Sequence, residues 1–378
     1  MGVFGTIDIA AWPFWLCVLV AIVLQPLQRN ESARRISLAT VNVGFLYWLL
    51  GINIWIPAAL IVSLWAITRA FESPGARRGA GMAAVIVLAL LFFDYRLQPE
   101  VGRLLPQLSL IGFAYIGLRA VELLRGCWED EKSTSLISCV NYLTPFHMLA
   151  AGPIQSWRDF QQCDHRTSIT QEETLQAAER IAAGLFKKFV IASALQQIFL
   201  TGFESDGLLY VLEVHVFYLW LFFDFSGYSD IAVGVGVLIG APAPENFKHP
   251  LMATSLIDFW DRWHITLSQF LRRNLFIPLE LQLLRKTNGK FGVGVTIFAF
   301  IVTFMVSAAW HSISPGFLLW GLSHAVGVSI VVIFRYVLKQ RLGTARFNEF
   351  RSRTTVRYAS ILLTFEYVTW TLITIVVI

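Results

Sequence analysis

Seven histidines stand in a charge-poor chain: His147, His165, His215, His249, His264, His311 and His324. Imidazole titrates nearest neutral pH, which suits it to acid–base chemistry, and an ionisable group held at membrane depth is functional by default. His311 lies in Ser307-Ala308-Ala309-Trp310-His311-Ser312, at the middle of an uncharged run. The small residues before it let helices approach closely or leave room for a ligand. His264 lies in Trp263-His264-Ile265-Thr266, at the edge of an apolar helical face. Each of these two reads either as a functional group or as a hydrogen-bonded structural histidine. His215 and His324 read as structural, and His147 stays open. Asp224 and Asp230 bracket Phe225-Ser226-Gly227-Tyr228-Ser229 inside another apolar run, as proton-relay groups or as partners for an unwound turn. No H-E-x-x-H, G-x-S-x-G or Walker loop is present. Cys17, Cys127, Cys139 and Cys163 show neither a C-x-x-C pair nor metal-ligand spacing, so no metal site is expected. Gly234, Gly236 and Gly240 follow no strand, and close helix packing explains them better than a dinucleotide fingerprint.

These residues need a scaffold, and the composition names its class. The chain has 378 residues, 56% hydrophobic and only 15% charged, with a mean hydropathy of +0.61. Soluble domains carry about a quarter charged residues, so an ordinary water-soluble enzyme and a disordered chain are both excluded. An all-α polytopic membrane protein remains. A hydrocarbon core of about 30 Å needs about 20 apolar residues per helix. Residues 36–68 carry no Asp, Glu, Lys or Arg and turn at Gly51-Ile52-Asn53. Residues 291–334 are likewise uncharged and turn at Ser314-Pro315-Gly316. With 9–27, 80–95, 104–124, 189–203, 208–240 and 358–378, about ten crossings are expected in one membrane domain spanning 1–378.

Lys and Arg set the orientation. The first 28 residues hold neither, whereas Arg29, Arg34 and Arg35 follow the first span, Arg77 and Arg78 the third, and Arg125 and Lys132 the fifth. The positive-inside rule then puts the N-terminus outside the cytoplasm and the basic stretch Arg335 to Arg357 inside. The first span lacks a basic leader and is expected to be retained. Two stretches break the pattern. Ser135 to Trp157 contains Pro145, Gly152 and Pro153 and reads as a broken or re-entrant segment, which needs cover from protein or a water-filled cavity. Ser255 to Pro278 reads as an amphipathic helix, with Leu256, Trp260, Trp263, Leu267, Phe270 and Leu271 on one side. Asp258, Asp261, Arg262, Gln269, Arg272 and Arg273 fill the other, so the helix lies in the cytoplasmic interface or tucks into the protein.

Several strings then accumulate in order. Phe222-Phe223-Asp224-Phe225-Ser226-Gly227-Tyr228-Ser229-Asp230 leads to Pro244-Glu245-Asn246-Phe247. Phe259-Trp260-Asp261-Arg262-Trp263-His264-Ile265-Thr266-Leu267-Ser268 follows, then Trp310-His311 and Leu319-Trp320-Gly321-Leu322-Ser323-His324. Upstream stand Ala151-Gly152-Pro153-Ile154 and Arg158-Asp159-Phe160. From about residue 10 to 335 the chain resembles the membrane-bound O-acyltransferase family, in its alginate O-acetyltransferase and teichoic acid D-alanyltransferase branch.

The resemblance implies helices ringed around a tunnel, with His311 as the catalytic histidine and His264 at the second, Asn-or-His position. Asp261, Trp263, Trp310, Arg272, Arg273 and Asn246 are read with it as substrate-binding. It implies a thioester donor, acetyl-CoA, entering from the cytoplasm without any bound cofactor. A glycan hydroxyl outside accepts the acetyl group, an exported hydrolase-like partner completes transfer, and the protein sits in the bacterial inner membrane. D-alanyl transfer from a carrier-protein thioester is the rival within the family, and a proton-coupled transporter the rival outside it. The chemistry is consistent with direct transfer: neutral imidazole can take the hydroxyl proton, so no Ser or Cys nucleophile is needed. Ser312-Ile313-Ser314-Pro315 stands where the family more often has Gly-Ala, and the chain ends near Ile378 where alginate-type members usually continue. Arg272, Arg273, Lys187 and Lys188 either anchor to lipid headgroups or pair with CoA phosphates.

Overall fold

The structure, a computed structural model, describes residues 9–24, 30–69, 74–97, 113–129, 134–163, 169–199 and 207–377, and among them there is no strand. Helices α1 (Trp12–Leu24), α2 (Glu31–Leu50), α3 (Trp55–Arg69), α4 (Pro74–Leu97) and α5 (Phe113–Glu129) come first. Short helices α6 (Leu136–Leu143) and α7 (Trp157–Cys163) precede α8 (Gln171–Leu185), which runs through the wide turns Phe186–Ala192 into α9 (Ser193–Phe199). Then come α10 (Leu208–Leu238), α11 (Leu256–Trp260), α12 (Ile265–Leu271), α13 (Ile277–Lys286), α14 (Gly292–His311), α15 (Pro315–Ser352) and α16 (Thr354–Val377).

Among the described residues six stretches are long and apolar enough to cross a membrane: 31–69, 171–198, 208–238, 292–311, 315–352 and 354–376. Both expected hairpin turns are present. Gly51 takes φ 55°, and Gly51–Ile54 forms a tight turn between α2 and α3, so 31–69 holds two helices. Ser314 caps α15 through the N–H of Phe317, with Pro315 at the first helical position, where its missing N–H is no loss. Shorter apolar helices stand at Trp12–Leu24 and 78–88. The ends of expected spans at 25–27, 104–112 and 200–203, with Arg29 and Lys132, lie outside the described residues.

The chain divides into two compact units, residues 1–186 with 227–244 and residues 187–226 with 245–378. In the first, Phe14, Phe45 and Phe146 meet at ring distances of 5.8–6.3 Å, and Tyr142 packs edge-on against Trp157 at 5.0 Å. The broken segment is as expected. Ser135 caps α6, which ends before Thr144-Pro145 because the proline ring disfavours helical backbone in the residue before it. The irregular chain beyond is satisfied by buried side chains. Arg119 of α5, fully buried, donates to the carbonyls of Met148 and Pro153 at 3.1 and 3.0 Å. Asn42 accepts from the Phe146 N–H at 2.9 Å, and the Tyr142 hydroxyl donates to Gln155 O at 2.8 Å. Each such group left unpaired would cost about 1–3 kcal/mol. The glycine stripe of α10 packs closely, since a Cβ on Gly234 would fall 2.8 Å from the carbonyl of Ala177 in α8.

In the second unit α14 and α15 form an antiparallel pair drawn together by Gly321, where a Cβ would collide with Ala308 and the carbonyl of Phe304. Leu319, Leu322, Val326, Ile330 and Ile333 make an exposed apolar stripe along α15, and Trp320, His324, Ala325 and Val328 face inward. Such a stripe suits lipid and not water. The expected amphipathic helix over 255–278 is a correction. It is three pieces, α11, α12 and α13, with Arg272–Phe276 in wide turns between the last two. It tucks into the protein: Trp260 meets His324 at 5.2 Å, Phe304 at 5.4 Å and Trp320 at 5.9 Å. Arg335 of α15 donates to Ser255 Oγ at 2.8 Å, beside the start of α11.

Candidate active site

The break between α11 and α12 is made by His264, which takes left-handed backbone (φ 43°, ψ 51°). For a residue with a Cβ this costs about 1–2 kcal/mol, so the surroundings must hold it. Asn246 supplies most of that hold. Its carbonyl accepts the Ile265 N–H at 3.0 Å, and its side-chain Oδ1 accepts the N–H and the hydroxyl of Thr266 at 3.3 and 2.8 Å. The same Oδ1 lies 3.1 Å from Nδ1 of His264. The Lys248 N–H donates to the carbonyl of Arg262 at 2.9 Å, closing the two chain segments on each other. His264 is 4% exposed, its Nε2 is buried without a hydrogen-bond partner, and the Phe225 ring stands edge-on to it at 4.8 Å. Burial, and then the charge of His311, push the imidazole down to about 3, so it is neutral at pH 7.

His311 is the last residue of α14, and the chain turns extended at Ser312. Its ring is half-buried in an aromatic wall: Trp310 at 4.6 Å, Trp320 edge-on at 5.8 Å and Phe317 stacked at 5.8 Å. Close packing of Ala308 against Gly321 is what brings Trp320 to it, as the run of small residues implies. One unit thus holds two imidazoles, His264 buried, neutral and within reach of the charge of His311, and His311 at the open end of a helix hairpin.

The other expected residues divide. Trp310 adjoins His311, Asn246 holds the ring and the turn of His264, and Trp263 stands in an aromatic cluster. Trp263 is buried, stacked on Phe259 at 5.6 Å and edge-on to Phe247 at 5.1 Å. Asp261 is exposed at the end of α11, Arg272 is exposed and Arg273 half-buried in the wide turns. Asp258 anchors the segment, taking Arg262 Nε at 2.7 Å and the Thr254 N–H at 2.8 Å. Burial alone would raise its pKa, but these hydrogen bonds outweigh burial and leave it lowered.

Asp224 and Asp230 are both engaged, Asp224 with Lys188 and Asp230 with Arg180 at 3.1 Å. A carboxylate held by a cation is poorly placed to relay protons, and Lys188 is drawn away from phosphate binding. His324 faces the Thr371 hydroxyl at 3.1 Å, and His215 faces Glu366 at 3.2 Å. His147 Nε2–H donates to the Ala241 carbonyl at 3.0 Å, within the first unit. Among the described residues no three His, Cys, Asp or Glu side chains gather as a metal site. Sequence reasoning passed over Arg119 and Arg335. Arg119 carried a signal, being a lone arginine inside an apolar span, whereas Arg335 reads as one more basic residue at a membrane end.

A helical scaffold with several spans long and apolar enough to cross a membrane, and two histidines gathered in one of its units, defines a polytopic membrane protein with a candidate acid–base site. The particular family follows from comparison. The model of the membrane-bound O-acyltransferase family, MBOAT, matches residues 113–369, and the chain belongs to that family. Among similar proteins is the teichoic acid D-alanyltransferase of Bacillus subtilis (strain 168), 28% identical over 64% of this chain and 65% of its own length. The probable alginate O-acetylase of Azotobacter vinelandii is 32% identical over 56% of this chain and 41% of its own. The peptidoglycan O-acetyltransferase of Helicobacter pylori (strain 26695) is 35% identical over 39% of this chain and 27% of its own. The chain therefore spans less than two thirds of the length of these relatives.

Proposed function

We propose that the protein is an O-acyltransferase that moves an acetyl group from cytoplasmic acetyl-CoA to a hydroxyl of an extracytoplasmic polysaccharide, with His311 as general base. The observation that carries this is two histidines in one unit, His311 half-open at a hairpin end and His264 fully buried within reach of the charge of His311. The hydroxyl oxygen attacks the thioester carbonyl carbon, a C–O bond forms and the C–S bond breaks. His311 takes the hydroxyl proton and returns it to the departing thiolate, leaving an ester and a free thiol. Burial limits water, which would otherwise hydrolyse the thioester.

In this reading residues 1–378 act as one domain in the inner membrane, with the N-terminus outside and a tunnel joining the two faces. Arg272 and Arg273 lie on the cytoplasmic side, where the CoA phosphates arrive. An exported hydrolase-like partner passes the acetyl group to the polymer. The strings Asp224-Phe225-Ser226-Gly227-Tyr228-Ser229-Asp230 and Pro244-Glu245-Asn246-Phe247, with the acetyltransferase relatives, support the acetyl donor. One observation favours a second reading, D-alanyl transfer from a carrier protein: the D-alanyltransferase relative covers more of this chain than the acetylases do. The deciding experiment offers purified protein in nanodiscs acetyl-CoA or a D-alanyl carrier thioester, together with a glycan acceptor, and reads free thiol and the mass of the product. Glycan with an added acetyl mass supports the proposal. An alanyl mass shifts it to the second reading, and no acyl product from either donor overturns both.

A further inference from the structure

We propose that Asn246 is a positioning residue that fixes His264 as its Nδ1–H tautomer, so that Nε2 presents a lone pair and not a hydrogen to the reacting groups. This rests on the acyltransferase reading above. Oδ1 of Asn246 faces the backbone N–H of Thr266 at 3.3 Å, and a backbone N–H only donates. The side-chain atom there is therefore the oxygen and not the amide nitrogen, and the Thr266 hydroxyl donates to it as well at 2.8 Å. An amide oxygen only accepts, and Nδ1 of His264 lies 3.1 Å from it, so Nδ1 carries a hydrogen. A neutral imidazole has one N–H. Nε2 is then bare, and it is buried with no partner of its own.

The ring is held neutral by burial, and His311 is the titratable group whose charge reaches it. The left-handed backbone at His264 serves the same end: it turns the ring toward Asn246 where a helical residue would carry it elsewhere. The consequence is chemical. A thioester carbonyl needs a donated hydrogen, and Nε2 in this tautomer has none to give. The group that fits opposite it bears a hydrogen itself, an O–H or N–H. Two histidines of the site thus differ in kind: His311 exchanges a proton with substrate, and His264 stays an uncharged acceptor.

Two measurements test this. Nitrogen-15 spectra of histidine-labelled wild type in nanodiscs, with His264 assigned by its loss in His264→Gln, report directly which ring nitrogen is protonated. The expected result is a protonated Nδ1 and a bare Nε2 at pH 7, and a protonated Nε2 overturns the proposal. The other follows the same spectrum against pH in Asn246→Asp. A carboxylate keeps the three hydrogen bonds to His264 and Thr266, but its charge favours the imidazolium and so puts a hydrogen on Nε2. The pH at which Nε2 gains its proton should rise by about one to three units over wild type. An Asn246 that did not bond Nδ1 would leave that pH unchanged, and that result overturns the proposal. If the wild type transfers no acyl group at all, the acyltransferase reading fails while the nitrogen spectrum still decides the tautomer.

Discussion

Replacing His311 by alanine separates chemistry from folding because its surroundings make the two effects unequal. The imidazole is half-exposed at the end of α14, so its removal opens no sealed cavity. What is lost is the ring contact with Trp310 at 4.6 Å and the weaker ones with Phe317 and Trp320 at 5.8 Å. Aromatic pairs contribute about 0.5–1.5 kcal/mol each beyond area burial, and half exposure discounts that, so a loss of about 1–2 kcal/mol is expected. Removing a general base lowers the rate by about 10²–10⁴-fold. At 1.36 kcal/mol per decade that is about 3–5 kcal/mol on the barrier, larger than the folding effect. The assay follows thiol release and labelled-acetyl incorporation into glycan by protein in nanodiscs, with the thermal midpoint measured on the same sample. A folded His311→Ala protein within tenfold of wild type would refute the base assignment.

His264→Asn should retain measurable transfer, because an amide oxygen still accepts a hydrogen bond where the bare Nε2 does; loss equal to that of His311→Ala would show instead that His264 must itself change charge. Folding stability should fall on acidification: folded His264 sits at about 3 and an unfolded histidine near 6.5, so the unfolded state alone takes up a proton between these values. That contribution is complete above pH 6.5 and smaller by about 2 kcal/mol at pH 5, so thermal unfolding scans of His264→Gln should lose stability less steeply with acid than those of wild type. Arg272→Gln and Arg273→Gln should raise KM for acetyl-CoA and leave it nearly unchanged for a short thioester lacking the nucleotide, since phosphate pairing is lost only for the first. Equal KM values for acetyl-CoA in mutant and wild type would return these arginines to the lipid headgroups.

Composition and turn chemistry carried the helical scaffold. Gly51 and Pro315 each mark a hairpin because one permits positive φ and the other starts a helix without an N–H, and neither effect needs tertiary context. Pro145 likewise ends α6 locally. The spacing over 255–278 predicts one helix because it is real on both sides of the break. Leu256 and Trp260 share one face, and Leu267, Phe270 and Leu271 another, so a continuous pattern hides four residues that are not helical. The break is imposed from outside by Asn246, eighteen residues upstream of His264, and no periodicity within the segment reports that.

The same logic explains why irregular backbone gathers at the places where polar side chains are buried. A helix satisfies its own N–H and C=O groups, so an apolar span needs no polar companions, and α14 has few. Interrupting it frees groups that must be paired from elsewhere. Arg119 pairs two carbonyls in the broken segment after α6, and Asn246 pairs three donors and closes one backbone bond at the turn before α12. The break at Pro145 and the turn at His264 each leave a buried histidine nitrogen without a partner, Nδ1 of His147 and Nε2 of His264. What separates them is the neighbouring charge: the group beside His264 is His311, an imidazole that can gain and lose a proton near neutral pH, whereas the group beside His147 is the permanently charged guanidinium of Arg119.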